Sequence, residues 1–183
     1  LAPGTFDPSS ATTTFVLAMA DATAATLVPG LLQIAEADAP GVSLRVVPLT
    51  TRDPRALLDA AAADLAVGYF PAALADMTAR EQAGESVSFS QQRLYGGEYV
   101  CVMRRKRPLA SGRLSMDRYC GARHLLVSFS GRPWGFIDEA LASLDRQRRV
   151  VLTVNQFFTA GRVVAHSNLL SVMPRHFVRE TGM

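Results

Sequence analysis

Long hydrophobic runs are missing from this sequence. No stretch of 18 apolar residues occurs among its 183, so nothing in it reads as a membrane-spanning helix. Cysteine is nearly absent too. Cys101 and Cys120 are the whole complement. They form no C-x-x-C pair, and apolar neighbours favour two buried, reduced thiols over a disulfide or a metal site. The N-terminus LAPGTFDPSS lacks a basic start and an apolar core, so it does not read as a signal peptide. The expected setting is reducing and cytoplasmic. Charged residues are sparse at 19%, while 49% are hydrophobic, which excludes disorder and allows a buried core. The net charge of +3 is mild. Much of the basic charge sits in two clusters, Arg104–Arg107 and Arg146–Arg149, rather than over a docking face. Direct DNA binding by this chain is not expected.

The usual catalytic signatures are absent as well. There is no G-x-S-x-G elbow, no G-x-x-x-x-G-K-[ST] loop and no G-x-G-x-x-G fingerprint. His124, His166 and His176 do not share a helix face with acids at metal-ligand spacing, and each reads as a surface or interface histidine. Asp138 and Glu139 open a helix, where they favour the positive end of its dipole. No enzyme, metal site or cofactor is implied.

What is present is alternation. Phe15–Ala20 is a wholly apolar run, the pattern of a strand buried on both faces. Leu27, Leu31 and Ile34 recur at helical spacing, with Pro29 expected in the first turn. Residues 42–49 form a second strand. Asp53-Pro54 reads as a cap and first position of a helix with a stripe of Leu57, Leu58, Ala61 and Ala62. Residues 65–70 form a third strand, 71–92 read as irregular and polar, and 93–103 as a long extended segment broken by Gly96-Gly97. The alternation then resumes: strands at 124–129, 150–154 and 169–173, helices at 136–144 and 157–166, and a short helical start in RHFVRE. Residues 15–70 are thus β-α-β-α-β, and a second α/β unit follows a boundary near Gly96-Gly97.

In open α/β sheets, ligands collect outside the carboxyl ends of the strands. Here those ends carry Asp21, Ala22 and Thr23; Thr50 and Thr51; Phe70; Phe129, Ser130 and Gly131; and Asn155, Gln156 and Phe157. Hydroxyls, an amide, helix N-termini and phenyl rings suit a small organic molecule, aromatic or carboxylated. Each residue has an alternative use in capping helices and plugging sheet ends.

Seven segments carry a resemblance. They are FDPSSATTTFVLAMAD (6–21), LVPGLLQIAEADAPGVSLRVV (27–47), DLAVGYF (64–70), GEYVCVMRRKRPLA (97–110), HLLVSFSG (124–131), GFIDEAL (135–141) and RRVVLTVNQFFTAGRVVAHSNLLSVMPR (148–175). In that order and spacing they resemble the effector-binding domain of LysR-type transcriptional regulators, nearest its nodulation and aromatic-degradation branch. The resemblance implies a periplasmic-binding-protein-like α/β fold. Two α/β subdomains, 1–92 with 175–183 and 93–174, would be joined by two crossing strands. It implies a small-molecule inducer in the cleft between them, held by the twelve strand-end residues above. It also implies a homodimer, tetrameric when full-length, in which the first helix meets a helix of the partner's second subdomain. The stripes to watch are Leu27, Leu31 and Ile34, and Phe136, Ala140 and Leu144, with ordinary core packing the favoured use of each. DNA would be bound only through an N-terminal helix-turn-helix outside this sequence, and the C-terminal return would be cut short. An extracytoplasmic solute-binding protein with the same architecture is the alternative, and an α/β enzyme using the cleft is a third reading.

Overall fold

A computed structural model describes residues 6–182. The chain folds as two compact units that divide between Tyr95 and Gly96.

The first unit is a three-stranded parallel sheet in the order β2-β1-β3. β1 (Thr14–Met19) is central, β2 (Ser43–Pro48) flanks it from Thr14↔Ser43 to Met19↔Pro48, and β3 (Leu65–Val67) pairs on the other side. Centrality explains the apolar run: Leu17, Ala18 and Met19 are all buried. Asp64 begins the β3 pairing twice over. Its carboxylate accepts from the Val16 N–H at 2.7 Å, and its own N–H donates to the Val16 carbonyl.

Helix α1 (Asp21–Asp38) starts six residues earlier than its apolar spacing suggests, so Pro29 lies inside the helix rather than in its first turn. There it leaves one carbonyl of the preceding turn without its usual donor. The alanine-rich stretch before it has high helix propensity and sustains the helix across that gap. α2 is short (Arg55–Asp59), and Ala61 lies beyond it at φ 50°. Leu57 and Leu58 still pack against Ala18, Leu49 and Ala63, as expected. The segment read as irregular contains α3 (Pro71–Gln82), opened by a proline at its first position. Ala73 and Met77, four residues apart, are its only buried residues, too thin an apolar stripe to register as helical periodicity.

The second unit holds β4 (Tyr99–Val102), β5 (Arg123–Val127), β6 (Arg149–Val154) and β7 (Ser171–Pro174). The long extended segment shrinks to β4, which pairs antiparallel with β7. β5 and β6 pair in parallel. Leu170, just before β7, exchanges hydrogen bonds with Leu125 and Arg123 and so links the two pairs. Helices α4 (Met116–Cys120), α5 (Phe136–Ala142), α6 (Phe157–Ala165) and α7 (Arg175–Thr181) complete the unit. α7 packs here: Phe177 is fully buried, with its ring centroid 4.9 Å from Phe158 and 5.9 Å from Phe157. The helix of 175–181, expected in the first subdomain, thus falls in the second unit.

Two single-residue expectations change. Cys101 is exposed and Cys120 half-buried, and both are free thiols. Alternation along β4 turns Cys101 outward while Val100 and Val102 are covered. His124 is not a surface histidine but fully buried. Its Nε2 lies 2.8 Å from the Tyr119 carbonyl, to which it donates as the neutral tautomer, and its ring stacks edge-on with Tyr119 at 4.5 Å. Burial holds its pKa below the ordinary 6.5; the Tyr119 carbonyl and Asp138 oppose this, while Arg148 and Arg107 add to it.

The sign follows from linkage. Below pH 6.5 the unfolded chain takes up a proton that folded His124 resists, so stability falls as pH falls through that window. The urea midpoint should drop between pH 7.5 and 5.5, and His124→Gln, which keeps a donor but cannot protonate, should flatten that drop. An unchanged slope in the variant would assign the acid sensitivity elsewhere.

Candidate functional site

Parallel pairing gathers strand ends by construction. In the first unit, Met19 lies level with Pro48 and Val67, so Asp21, Ala22 and Thr23, then Thr50 and Thr51, then Phe70 all fall at one carboxyl edge. In the second, Val127 lies level with Val154. Phe129, Ser130 and Gly131 therefore meet Asn155, Gln156 and Phe157 at a second carboxyl edge.

The twelve residues do not present their side chains equally. Asp21 stands half-buried in the first turn of α1, where its charge suits the helix dipole. Ala22 is buried and belongs to the sheet–helix packing, so only its backbone could meet a ligand. Thr23 is half-buried and Thr50 exposed. The Thr51 hydroxyl is taken up locally: it donates to the Asp53 carbonyl at 2.9 Å and accepts from the Asp53 N–H at 3.0 Å. That turn, with the Asp53 carboxylate accepting from the Arg55 N–H, leads into α2. Phe70 folds back over the core of Ala18, Leu49 and Ala63. It fills the space beside Gly68, where an added Cβ would stand 2.8 Å from the ring.

In the second unit Ser130, Gly131, Asn155 and Gln156 are exposed. Gly131 turns the loop with φ 73°, a conformation that favours glycine. Phe129 is half-buried, 5.7 Å edge-on from Phe157. Phe157 is only 4% exposed and serves as the core plug between α6 and α7. An aromatic at a strand end next to a small-residue helix face (Ala160, Gly161, Val164) is the signal that points to packing.

One feature behind this edge has no local sequence signature. The Arg148 side chain, 1% exposed, grips Asp138 with Nε at 2.7 Å from Oδ1 and Nη2 at 2.9 Å from Oδ2. Its Nη1 donates to the Tyr119 hydroxyl at 3.0 Å. Asp138 Oδ2 also accepts from the Gly135 N–H at 2.7 Å. One guanidinium just before β6 thus ties together α4, the start of α5 and the end of the 129–135 loop. Burial alone would raise the Asp138 pKa; Arg148 and the Gly135 N–H together hold it below 3.8. Asp138 was read as a dipole residue, and its spacing from Arg148 in sequence offered no hint of the pair.

Two surface concavities are lined by residues other than the twelve. One, of about 280 Å³, is lined by Arg55, Asp59, Met77, Arg80, Val87, Ser88 and Phe89. The other, of about 260 Å³, is lined by Arg104, Ala165, His166, Ser167 and Asn168. No group of three or more metal-ligating side chains occurs among the described residues.

Comparison with known proteins adds a family match. The model of the LysR substrate binding domain fits residues 9–182. The HTH-type transcriptional activator NahR of Pseudomonas putida is 28% identical over 169 residues, covering 92% of this chain and 52% of that protein. The chain spans about half the length of the curated relatives it matches. Among solved structures, a probable transcriptional regulator, PA0477 from Pseudomonas aeruginosa, superposes with a TM-score of 0.79 at 26% identity, covering 97% of this chain and 55% of that one. The effector binding domain of QuiR, solved with shikimate, shares the fold at a TM-score of 0.63 and 20% identity, covering 88% of this chain and 73% of that one.

Arg148→Met would leave the Asp138 carboxylate buried without its cation. The expected loss is about 3–5 kcal/mol of folding stability, measured by urea unfolding. A loss within about 0.5 kcal/mol, as for an ordinary surface change, would show that the pair does not hold this edge together.

Proposed function

The chain belongs to the LysR substrate-binding domain family, and from that premise we propose that it senses a small aromatic or carboxylic inducer for a transcriptional regulator. It is a ligand-binding module of that family, and its relatives are transcriptional regulators rather than enzymes. The observation that carries the finer reading is the chemistry of the two carboxyl edges. Thr50, Ser130, Asn155 and Gln156 are exposed polar groups at strand ends, beside the N-termini of α1 and α6, which attract anions. The shikimate bound by QuiR, a small carboxylic acid, is a ligand of the same chemical kind. The family's helix-turn-helix relatives favour this reading over a solute-binding protein of a transporter. Inducer binding would act by its differential affinity for two states of the regulator.

The same reading includes a homodimer in which the first unit of one copy meets the second unit of another. Of the α1 stripe, Leu31 and Ile34 are exposed, Ile34 by 61%, while Leu27 is half-buried. Phe136 and Leu144 are exposed at 42% and 60%. Charge is complementary. Residues 1–95 hold five Lys and Arg against ten Asp and Glu, a net −5, while 96–183 hold fourteen against six, a net +8. Opposite potentials steer and orient such a pairing.

A thermal-shift screen of aromatic and short organic acids tests the sensor. A true ligand at 100 times its Kd should stabilise the chain by about 2.7 kcal/mol. Thr50→Val, Ser130→Ala and Asn155→Ala, all at exposed positions, should weaken its binding about tenfold where the hydrogen bond is used. Equal binding by all three variants would move the site away from these edges. Ile34→Glu tests the assembly: sedimentation should find a dimer weakened at least about tenfold, and an unchanged dimer would clear α1 of any role in it.

A further inference from the structure

The basic charge of the second unit is concentrated in one stretch. Residues 104–123 carry seven cations: Arg104, Arg105, Lys106, Arg107, Arg113, Arg118 and Arg123. Asp117 is the single carboxylate among them, and it is occupied by Arg146 at 2.7 Å. No carboxylate pairs with any of the seven among the described residues.

The stretch is built rather than loose. Arg118 donates to the Arg113 carbonyl at 2.7 Å, and the Ser115 hydroxyl caps α4 through the Arg118 N–H, which fastens the 108–115 loop to the helix. Lys106 sits at φ 63°, an uncommon conformation for a residue with a side chain, so the turn that presents Arg105 and Lys106 to solvent is held at some cost. Arg104 lines the 260 Å³ concavity. Its Nε and Nη2 donate to the Asn168 side-chain oxygen at 3.1 and 2.8 Å, which leaves the Asn168 amide hydrogens and Arg104 Nη1 as donors. His166 Nδ1 is engaged with the Arg162 carbonyl at 2.8 Å. The lining has no acidic group and no large apolar side chain.

We propose that this face, the Arg104–Asn168 concavity flanked by Arg105 and Lys106, docks the phosphate backbone of duplex DNA without reading its sequence. The chemistry fits phosphodiesters: several guanidinium and amide donors, a small polar hollow, and no recognition helix among these residues. An acidic protein partner would be expected to find a large apolar or aromatic anchor, and this concavity has none. The choice of DNA rests on the reading that the chain serves a DNA-bound regulator, which would hold this unit near duplex. It adds a sequence-independent contact to the expectation that DNA is reached only through an N-terminal domain.

Fluorescence anisotropy of the 183-residue chain with a labelled duplex of arbitrary sequence tests it. Three phosphate contacts predict a slope of about −2.7 for log affinity against log salt, and equal affinity for unrelated sequences. Arg105→Ala/Lys106→Ala should reduce that slope by about 1.8, and Arg104→Ala by about 0.9, each with an unchanged urea midpoint. Arg149→Ala, at an exposed cation of the other basic cluster, should leave the slope unchanged. No binding at 20 mM salt, or equal weakening by Arg149→Ala, overturns the proposal. So does displacement of the duplex by polyglutamate of equal charge, which would assign the face to an acidic protein. The assay contains no inducer, so its failure leaves the sensor reading standing, and a failed acid screen leaves this result standing.

Discussion

The parallel pairing of β1 with β2 and β3, and of β5 with β6, is the constraint from which the functional geometry follows. Parallel strands must all end at the same edge, and each must be followed by a crossover that begins there. Polar loops and helix N-termini are therefore gathered by the topology itself. In the first unit the central strand is apolar from Phe15 onward, and its last three residues are buried. The Asp64 carboxylate takes the Val16 N–H where β3 begins. In the second unit the pairing is reinforced from beneath by Arg148, whose single guanidinium reaches Asp138 and Tyr119 together. A binding edge made of loops needs such a rigid support, since an exposed loop alone would lose ordering entropy on meeting a ligand.

Legibility in the sequence tracked burial pattern. The central strands, α5, α6 and the start of α7 were readable because their apolar residues recur at one clear period. α3 was not, since its buried stripe is two residues on an otherwise exposed helix. The onset of α1 was hidden by Pro29, which pulls any reading toward a helix start although the alanines before it carry the helix. Phe157 and Ala22 sit at strand ends, as ligand contacts would, yet the structure spends both on packing. Thr51 is committed to a turn. What remains open at the edges is polar and small: Thr50, Ser130, Asn155 and Gln156. The Arg148–Asp138 pair was invisible because ion pairing across a fold leaves no local spacing to detect.

Charge organises the molecule at a larger scale. A net charge of +3 conceals a first unit at −5 and a second at +8. Complementary units favour pairing between copies, and the cations of 104–123 stay without carboxylate partners in their own unit. Two uses of positive charge can then coexist on one unit: oriented self-association where exposed apolar stripes supply the contact, and backbone docking where they do not.

The most direct measurement of the central claim is hydrogen exchange of the chain with and without the organic acid that stabilises it most. Under the proposed function, new protection is expected at the strand-end residues 22–25, 50–52, 130–132 and 155–160. Protection confined to the 55–89 concavity would contradict it.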